Sequence, residues 1–278
     1  MPEMPSNCPR PPSPRLTSPP SHSSAVFSSA RRLRLLKFLA PALMIIITVA
    51  SQATLRAQQS NTPASGWGEE HLPGGFRIRD RFINFDQERI QLTVAYRRAH
   101  QDAKADDVII RPRMIVLHWT GISSLESAWN YFNRTRAETA RADLAAAGEV
   151  NVSAHFLVDR DGEIYRLMPE TWMARHCIGL NHLAIGIENV GDGEKLPLTA
   201  AQVQANAALV RYLAGKYPIT HLIGHMEYRR MEGTPFFLEL DPKYRNTKPD
   251  PGAEFMDKVR ALVVDLKLQG PPEPNPHH

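Results

Sequence analysis

Three features of the sequence predict an α/β fold. Almost uninterrupted apolar runs at residues 114–117, 184–187 and 222–224 read as strands buried on both faces. Stretches with apolar residues at helical spacing, opened by capping residues, lie between and after them. The turn Arg160-Asp161-Gly162 joins residues 153–159 to 163–168 as a hairpin.

Taken in order, residues 1–53 read as a leader and signal peptide. Eight of the first twenty residues are proline, and Arg31-Arg32-Leu33-Arg34-Leu35-Leu36-Lys37 precedes an apolar run over 38–50. Ser51-Gln52-Ala53 then places small residues at the −3 and −1 positions of a cleavage site. The 13-residue run is short of the roughly 20 that span a bilayer, so the segment is expected to meet the membrane only in transit. Export is the expectation, to the periplasm or by secretion, and the paired arginines leave a twin-arginine route open.

Residues 54–75, rich in Gln, Ser, Pro and Gly, read as a linker. Residues 76–107 read as a helical extension packed on the main domain, with Asp86 capping a helix over 87–100. The main domain spans 108–268. Its expected helices cover 124–133 and 136–146, then a segment opened by the capping box Thr199-Ala200-Ala201-Gln202 and running to 214. The last helix, over 253–268, places Phe255, Val259, Leu262, Val263 and Leu266 on one face. Residues 269–278 form a Pro-rich tail.

Composition excludes several functions. With 42% hydrophobic and 22% charged residues, the chain can bury a core and is not disordered by composition. The net charge is +4, but residues 1–53 hold six basic residues and one acid. The remainder has 27 basic and 28 acidic residues, a balance of −1, so no nucleic-acid footprint survives outside the leader. Two cysteines, Cys8 and Cys177, exclude a disulfide scaffold and a Cys-based zinc site, and Cys177 reads as a lone buried thiol.

The chemistry collects where the apolar runs stop. Three separate runs finish on His118, Glu188 and His225. If these strands are parallel neighbours, the three side chains emerge at one edge of the sheet, where open α/β sheets bind ligands. Lys248-Pro249-Asp250-Pro251-Gly252 offers a carboxylate on a loop stiffened by two prolines. Two histidines and a carboxylate, with a fourth position left to water, are the composition of a catalytic zinc site.

The segments Ile115-Val116-Leu117-His118-Trp119-Thr120, 152–162, Ala184-Ile185-Gly186-Ile187-Glu188, Gly224-His225 and Lys248-Pro249-Asp250-Pro251-Gly252 occur in the order seen in zinc N-acetylmuramoyl-L-alanine amidases. The chain resembles the amidase-2 family, related to phage lysozyme-type amidases and animal peptidoglycan recognition proteins. The resemblance implies a central mixed β-sheet flanked by α-helices, and makes 108–268 an amidase catalytic domain. It implies Zn2+ held by His118, His225 and Asp250, with Glu188 as the catalytic proton carrier and Lys248 facing the developing oxyanion. The implied substrate is peptidoglycan or a muropeptide, cut between N-acetylmuramic acid and L-alanine. The plainer readings are a salt-bridged Glu188 and a surface Lys248.

The sequence departs from parts of this pattern. Phage members carry a tyrosine before the hairpin histidine, but Ala154 stands here, so the bacterial branch with its glutamate is the nearer match. His225 and Asp250 stand farther apart than in compact members, because residues 226–246 form an insertion. Its Tyr228, Arg229, Arg230, Phe236, Phe237 and Tyr244 either wall the cleft or pack the insertion onto the domain. Asp241 within it competes with Asp250 as the third ligand. His155 reads as a hydrogen-bonded core residue, His176, Asn181 and His182 as cleft lining, and Trp119 as a sugar platform or a packing residue. Two rival functions stay open: a module that binds peptidoglycan without cutting it, and a zinc peptidase acting on stem peptides.

Overall fold

The computed structural model describes residues 68–138 and 147–273. The leader, residues 54–67 of the linker, residues 139–146 of an expected helix and the end of the tail lie outside the described residues. A seven-stranded mixed sheet forms the centre, in the order β1-β2-β5-β4-β6-β3-β7. The strands are β1 (Glu69–His71), β2 (Arg77–Asp80), β3 (Met114–Trp119), β4 (Phe156–Val158), β5 (Ile164–Arg166), β6 (Ala184–Asn189) and β7 (His221–Gly224). Among the described residues four α-helices accompany them: α1 (Gln87–His100), α2 (Leu125–Asn133), α3 (Ala200–Lys216) and α4 (Ala253–Leu262). No helix among the described residues is long and apolar enough to cross a membrane.

The three apolar runs are the parallel core of this sheet. β3 pairs in parallel with β6 on one side and β7 on the other. Met114 to Leu117 and Ala184 to Ile187 are buried throughout, as expected for strands covered on both faces. Helices α3 and α4 cover one face through Val203, Leu209, Val210, Leu213, Phe255, Met256 and Val259. The opposite face packs Met114, Val116 and Ile223 against Cys177, Leu180, Tyr228 and Met231. The expected hairpin is present, with β4 and β5 antiparallel. Gly162 in its turn has φ +89, and a Cβ there would lie 3.0 Å from the Ala201 carbonyl.

The helix starts follow their capping signals. Asp86 accepts from Arg89 N at 2.9 Å, and Ser124 caps α2 in the same way. Thr199 and Gln202 form a reciprocal capping box on α3. Such caps contribute about 1 kcal/mol each by satisfying backbone donors at the helix end.

Four expectations are corrected. The sheet begins inside the stretch read as linker: β1 and β2 form an antiparallel edge, and β2 joins β5 in parallel. Residues 76–107 therefore contribute a strand as well as a helix. Arg136 does not open a helix but makes an isolated bridge to Val150. The helix expected to end at 214 runs on through Gly215 to Lys216. The last helix stops at Leu262, where Val263 leaves helical geometry (φ −122, ψ 18), and a short 3-10 turn follows. Leu262 is accordingly exposed, while Met256 takes its place in the core.

Candidate active site

The parallel register decides which side chains meet. His118 of β3 pairs with Glu188 of β6, and Leu117 pairs with Gly224 of β7, so His225 follows beside His118 at the strand ends. Gly224 keeps this edge tight, since a Cβ there would lie 3.0 Å from both Met256 and Pro251. Glu227 accepts from Gly224 N at 2.8 Å and pairs with Arg260 of α4, anchoring the turn that carries His225. The loop bearing Asp250 is tied to the same turn, because Met226 N donates to the Asp250 carbonyl at 2.7 Å.

His118 Nδ1 and His225 Nδ1 stand 2.9 Å apart, and Asp250 Oδ2 lies 3.2 Å from the first and 3.1 Å from the second. All three residues are buried. These edges are close to the ~3.3 Å that separates donors about 2.0–2.1 Å from a tetrahedral zinc. The donors also suit a cation chemically. Burial pushes the His225 imidazole down to about 4, which keeps it neutral with a lone pair to offer. Burial opposes ionisation of Asp250, but the neighbouring His118 and His225 outweigh it and hold the carboxyl well below its ordinary range. The trio can therefore hold a metal ion. Asp241 is exposed, with its carboxylate accepting from Lys243 N at 2.8 Å, and takes no part.

Glu188 lies in the same cleft with its Oε2 buried and unpartnered. Burial, and then the charge of Asp250, push its carboxyl well above the usual range, while Lys248 pulls it back. The salt-bridged alternative does not hold, since no ion pair among the described residues involves Glu188. Lys248 is half-buried in the cleft wall, also without an ion pair among the described residues. A cation there faces the carboxylates across the cleft rather than solvent alone.

The remaining histidines separate clearly. His155 is fully buried, its Nε2 donating to the Trp172 carbonyl at 2.8 Å and its Nδ1 accepting from Gly186 N at 3.0 Å. Burial holds it down to about 4, so it is a neutral core residue. His176 and Asn181 line the cleft, but His182 does not, lying within electrostatic reach of Arg97 on α1. Trp119 is half-buried against Gly193 and Gly252 and also borders an adjoining groove of about 680 Å³. Cys177 is a free buried thiol, as expected.

The insertion plays both parts that were open. Phe237 lies over Gly179 and under the Arg245 guanidinium, Phe236 meets the His221 ring at 4.5 Å, and Tyr228 is fully buried. Tyr244 and Asn246 line the cleft. Several functional neighbours were not foreseen. Tyr96 and Arg175 reach the cleft wall, with Arg175 donating to the Val150 carbonyl at 2.6 Å and stacking over Tyr96. Behind the site, Asn189 donates to the His118 carbonyl at 3.0 Å and is itself held by Asn206 of α3 at 2.6 Å. The sequence signal for this pair was an asparagine set between Ala205 and Ala207 on the buried face of the helix.

The model of the Amidase_2 family, N-acetylmuramoyl-L-alanine amidase, matches residues 110–253. The chain is 31% identical over 180 residues to the 1,6-anhydro-N-acetylmuramyl-L-alanine amidase AmpD of Salmonella typhimurium, covering 59% of this chain and 87% of that protein. Its likeness to AmpD of Escherichia coli K12 is 32% over 180 residues, covering 59% and 88%. Among solved structures, the endolysin N-acetylmuramoyl-L-alanine amidase LysCS from Clostridium intestinale superposes with a TM-score of 0.43 at 23% identity, covering 72% of this chain and 99% of that one. His118, Glu188, His225, Lys248 and Asp250 all fall within the matched stretch, which takes in half of the sequence, and the chain belongs to the Amidase_2 family of N-acetylmuramoyl-L-alanine amidases.

Proposed function

We propose that this protein is an exported zinc amidase that hydrolyses the amide between the lactyl group of N-acetylmuramic acid and L-alanine, in peptidoglycan or in muropeptides. The observation that carries the reading is the convergence of His118 Nδ1, His225 Nδ1 and Asp250 Oδ2 in the cleft that also holds the unpartnered Glu188 carboxyl. Export rests on the basic segment 31–37, the apolar run 38–50 and the small residues that follow.

His118, His225 and Asp250 would hold the metal. Zinc, when bound, supplies a Lewis acid that polarises the carbonyl and lowers the pKa of water to about 7. Glu188 accepts the proton of the attacking water and returns it to the departing amine of L-alanine. Its buried setting suits this work, because burial raises the proton affinity of the carboxyl above that of an exposed glutamate. Lys248 donates to the carbonyl oxygen as negative charge gathers there. The C–N bond breaks, water supplies the new carboxylate oxygen, and the peptide leaves with a free amino terminus.

The AmpD relatives are named for 1,6-anhydro substrates, so the deciding digest uses both intact sacculi and soluble 1,6-anhydro-muropeptides. Mass analysis is expected to show peptides that begin with L-alanine, together with peptide-free glycan. Cleavage inside the stem peptide would establish the peptidase instead, and binding without any cleavage the recognition module.

A further inference from the structure

We propose that His176 is a positioning residue that fixes the tautomer of His118 and so presents His118 Nδ1 as a bare donor to the metal. The proposal rests on the metal reading above and deepens it.

The argument follows the hydrogens. His176 Nε2 lies 3.2 Å from the Ala184 carbonyl, which only accepts, so Nε2 carries the hydrogen. A neutral imidazole carries one hydrogen, so with that hydrogen on Nε2 the Nδ1 atom keeps a lone pair. That Nδ1 lies 3.0 Å from His118 Nε2. A hydrogen bond there requires the hydrogen on His118 Nε2, and a neutral imidazole has only one. His118 Nδ1 is then unprotonated, and it is the atom that converges with His225 and Asp250.

The surroundings hold His176 in this pose. The two rings meet edge to face at 5.1 Å and 86°, and His118 is only 1% exposed, so no solvent competes. Gly186 of β6 leaves the space that the ring occupies: a Cβ there would lie 2.7–2.9 Å from three of its atoms. Asn181 Oδ1 accepts from both His176 N and Cys177 N, at 2.9 and 2.7 Å, and fixes the loop. With both nitrogens engaged, His176 acts on the reaction through His118 alone. Partners of this kind commonly contribute 10- to 100-fold to metal affinity.

The test measures the zinc dissociation constant by chelator competition in the full chain, alongside 15N NMR of the ring nitrogens in zinc-free protein. Wild type is expected to bind one zinc and to show His118 as the Nε2–H tautomer. His176→Phe, which keeps the ring volume and loses the acceptor, should bind zinc about 10- to 100-fold more weakly. His176→Gln, whose amide can accept from His118, should recover part of the loss. Gly186→Ala, which displaces the ring without touching its chemistry, should weaken zinc in the same direction. A folded His176→Phe protein with wild-type zinc affinity overturns the proposal, as does an Nδ1–H tautomer of His118 in the wild type. Wild type that takes up no zinc overturns the metal reading itself, a result distinct from either. Should His176→Phe fail to fold, Gly186→Ala and the NMR tautomer decide.

Discussion

His118 and Glu188 are cross-strand partners on the parallel neighbours β3 and β6, although 70 residues separate them in the chain. The pairing places the proposed metal donor and the proposed proton carrier side by side while mounting them on different strands. The two proposed roles should therefore be separable by mutation. Glu188→Gln is expected to retain zinc and fold while losing about 100- to 10,000-fold in hydrolysis, the range typical of a general acid or base. Near-normal turnover by zinc-loaded Glu188→Gln enzyme would reject the role, and His155 could not inherit it, since both its nitrogens are engaged in the core.

The ligands should behave oppositely. One zinc per chain is expected in the wild type, and His118→Ala, His225→Ala and Asp250→Ala should each lose metal and activity together. Elemental analysis of the purified variants is the check. Full zinc occupancy in both histidine variants would refute the assignment, whereas an Asp241→Ala protein should keep its metal, because that carboxylate only closes a turn.

Much of this site was legible because its strands are buried on both faces. Such strands must be nearly all apolar, so the polar residue that ends each one, His118, Glu188 or His225, stands out in the sequence. The edge strands β1 and β2 were hidden for the opposite reason. Their residues are largely charged, and ion pairs hold them: Arg166 meets Glu70 at 2.8 Å and Asp80 at 2.9 Å, and Arg77 meets Glu69 at 3.1 Å. No period-2 apolar signal is needed at such an edge. The contact of His176 with His118 was equally hidden, because it joins a loop to a strand end through folding alone, and a lone histidine in sequence does not announce its partner.

Export is expected to leave a mature protein that begins near residue 54. N-terminal sequencing of protein recovered from cell fractions tests this, with a periplasmic or secreted product cut close after Ala53 as the expected result. An intact leader on protein from the cytoplasmic fraction would count against export and leave the amidase chemistry untouched.

The insertion should prove to be held by a buried pair. His100, at the end of α1, has Nδ1 2.8 Å from Glu239 Oε1 and Nε2 2.7 Å from the Ala147 carbonyl, while Leu240 N donates to the His100 carbonyl at 2.9 Å. Both ring nitrogens of His100 are thus engaged, and the Glu239 side chain is fully buried. Breaking a buried pair costs about 3–5 kcal/mol. Glu239→Ala is expected to lower the melting temperature, expose residues 232–247 to proteolysis and raise KM through a loosened Tyr244 wall, with zinc content unchanged. An unaltered proteolytic pattern over that stretch would show that the pair does not hold the insertion.

Acid sensitivity should trace to buried neutral histidines, His155 first among them. Burial lowers its pKa from 6.5 to about 4 in the folded protein. A histidine whose folded pKa is depressed takes up a proton more readily when unfolded, so acid favours unfolding. Its contribution to stability is whole above pH 6.5 and is lost as pH falls from there toward 4. At about 1.4 kcal/mol per pKa unit, that window removes about 3 kcal/mol. His155→Gln abolishes the titration but leaves the hydrogen bonds of Gly186 and Trp172 imperfectly met, at a cost of about 1–3 kcal/mol. Urea unfolding of chelator-treated wild type and variant from pH 7.5 to 4.5 is expected to show the variant less stable at the neutral end. The gap should close by about 1.4 kcal/mol per unit once pH falls below about 6. A gap that stays constant across the range would mean that His155 carries its proton equally in both states, and that the acid slope lies elsewhere.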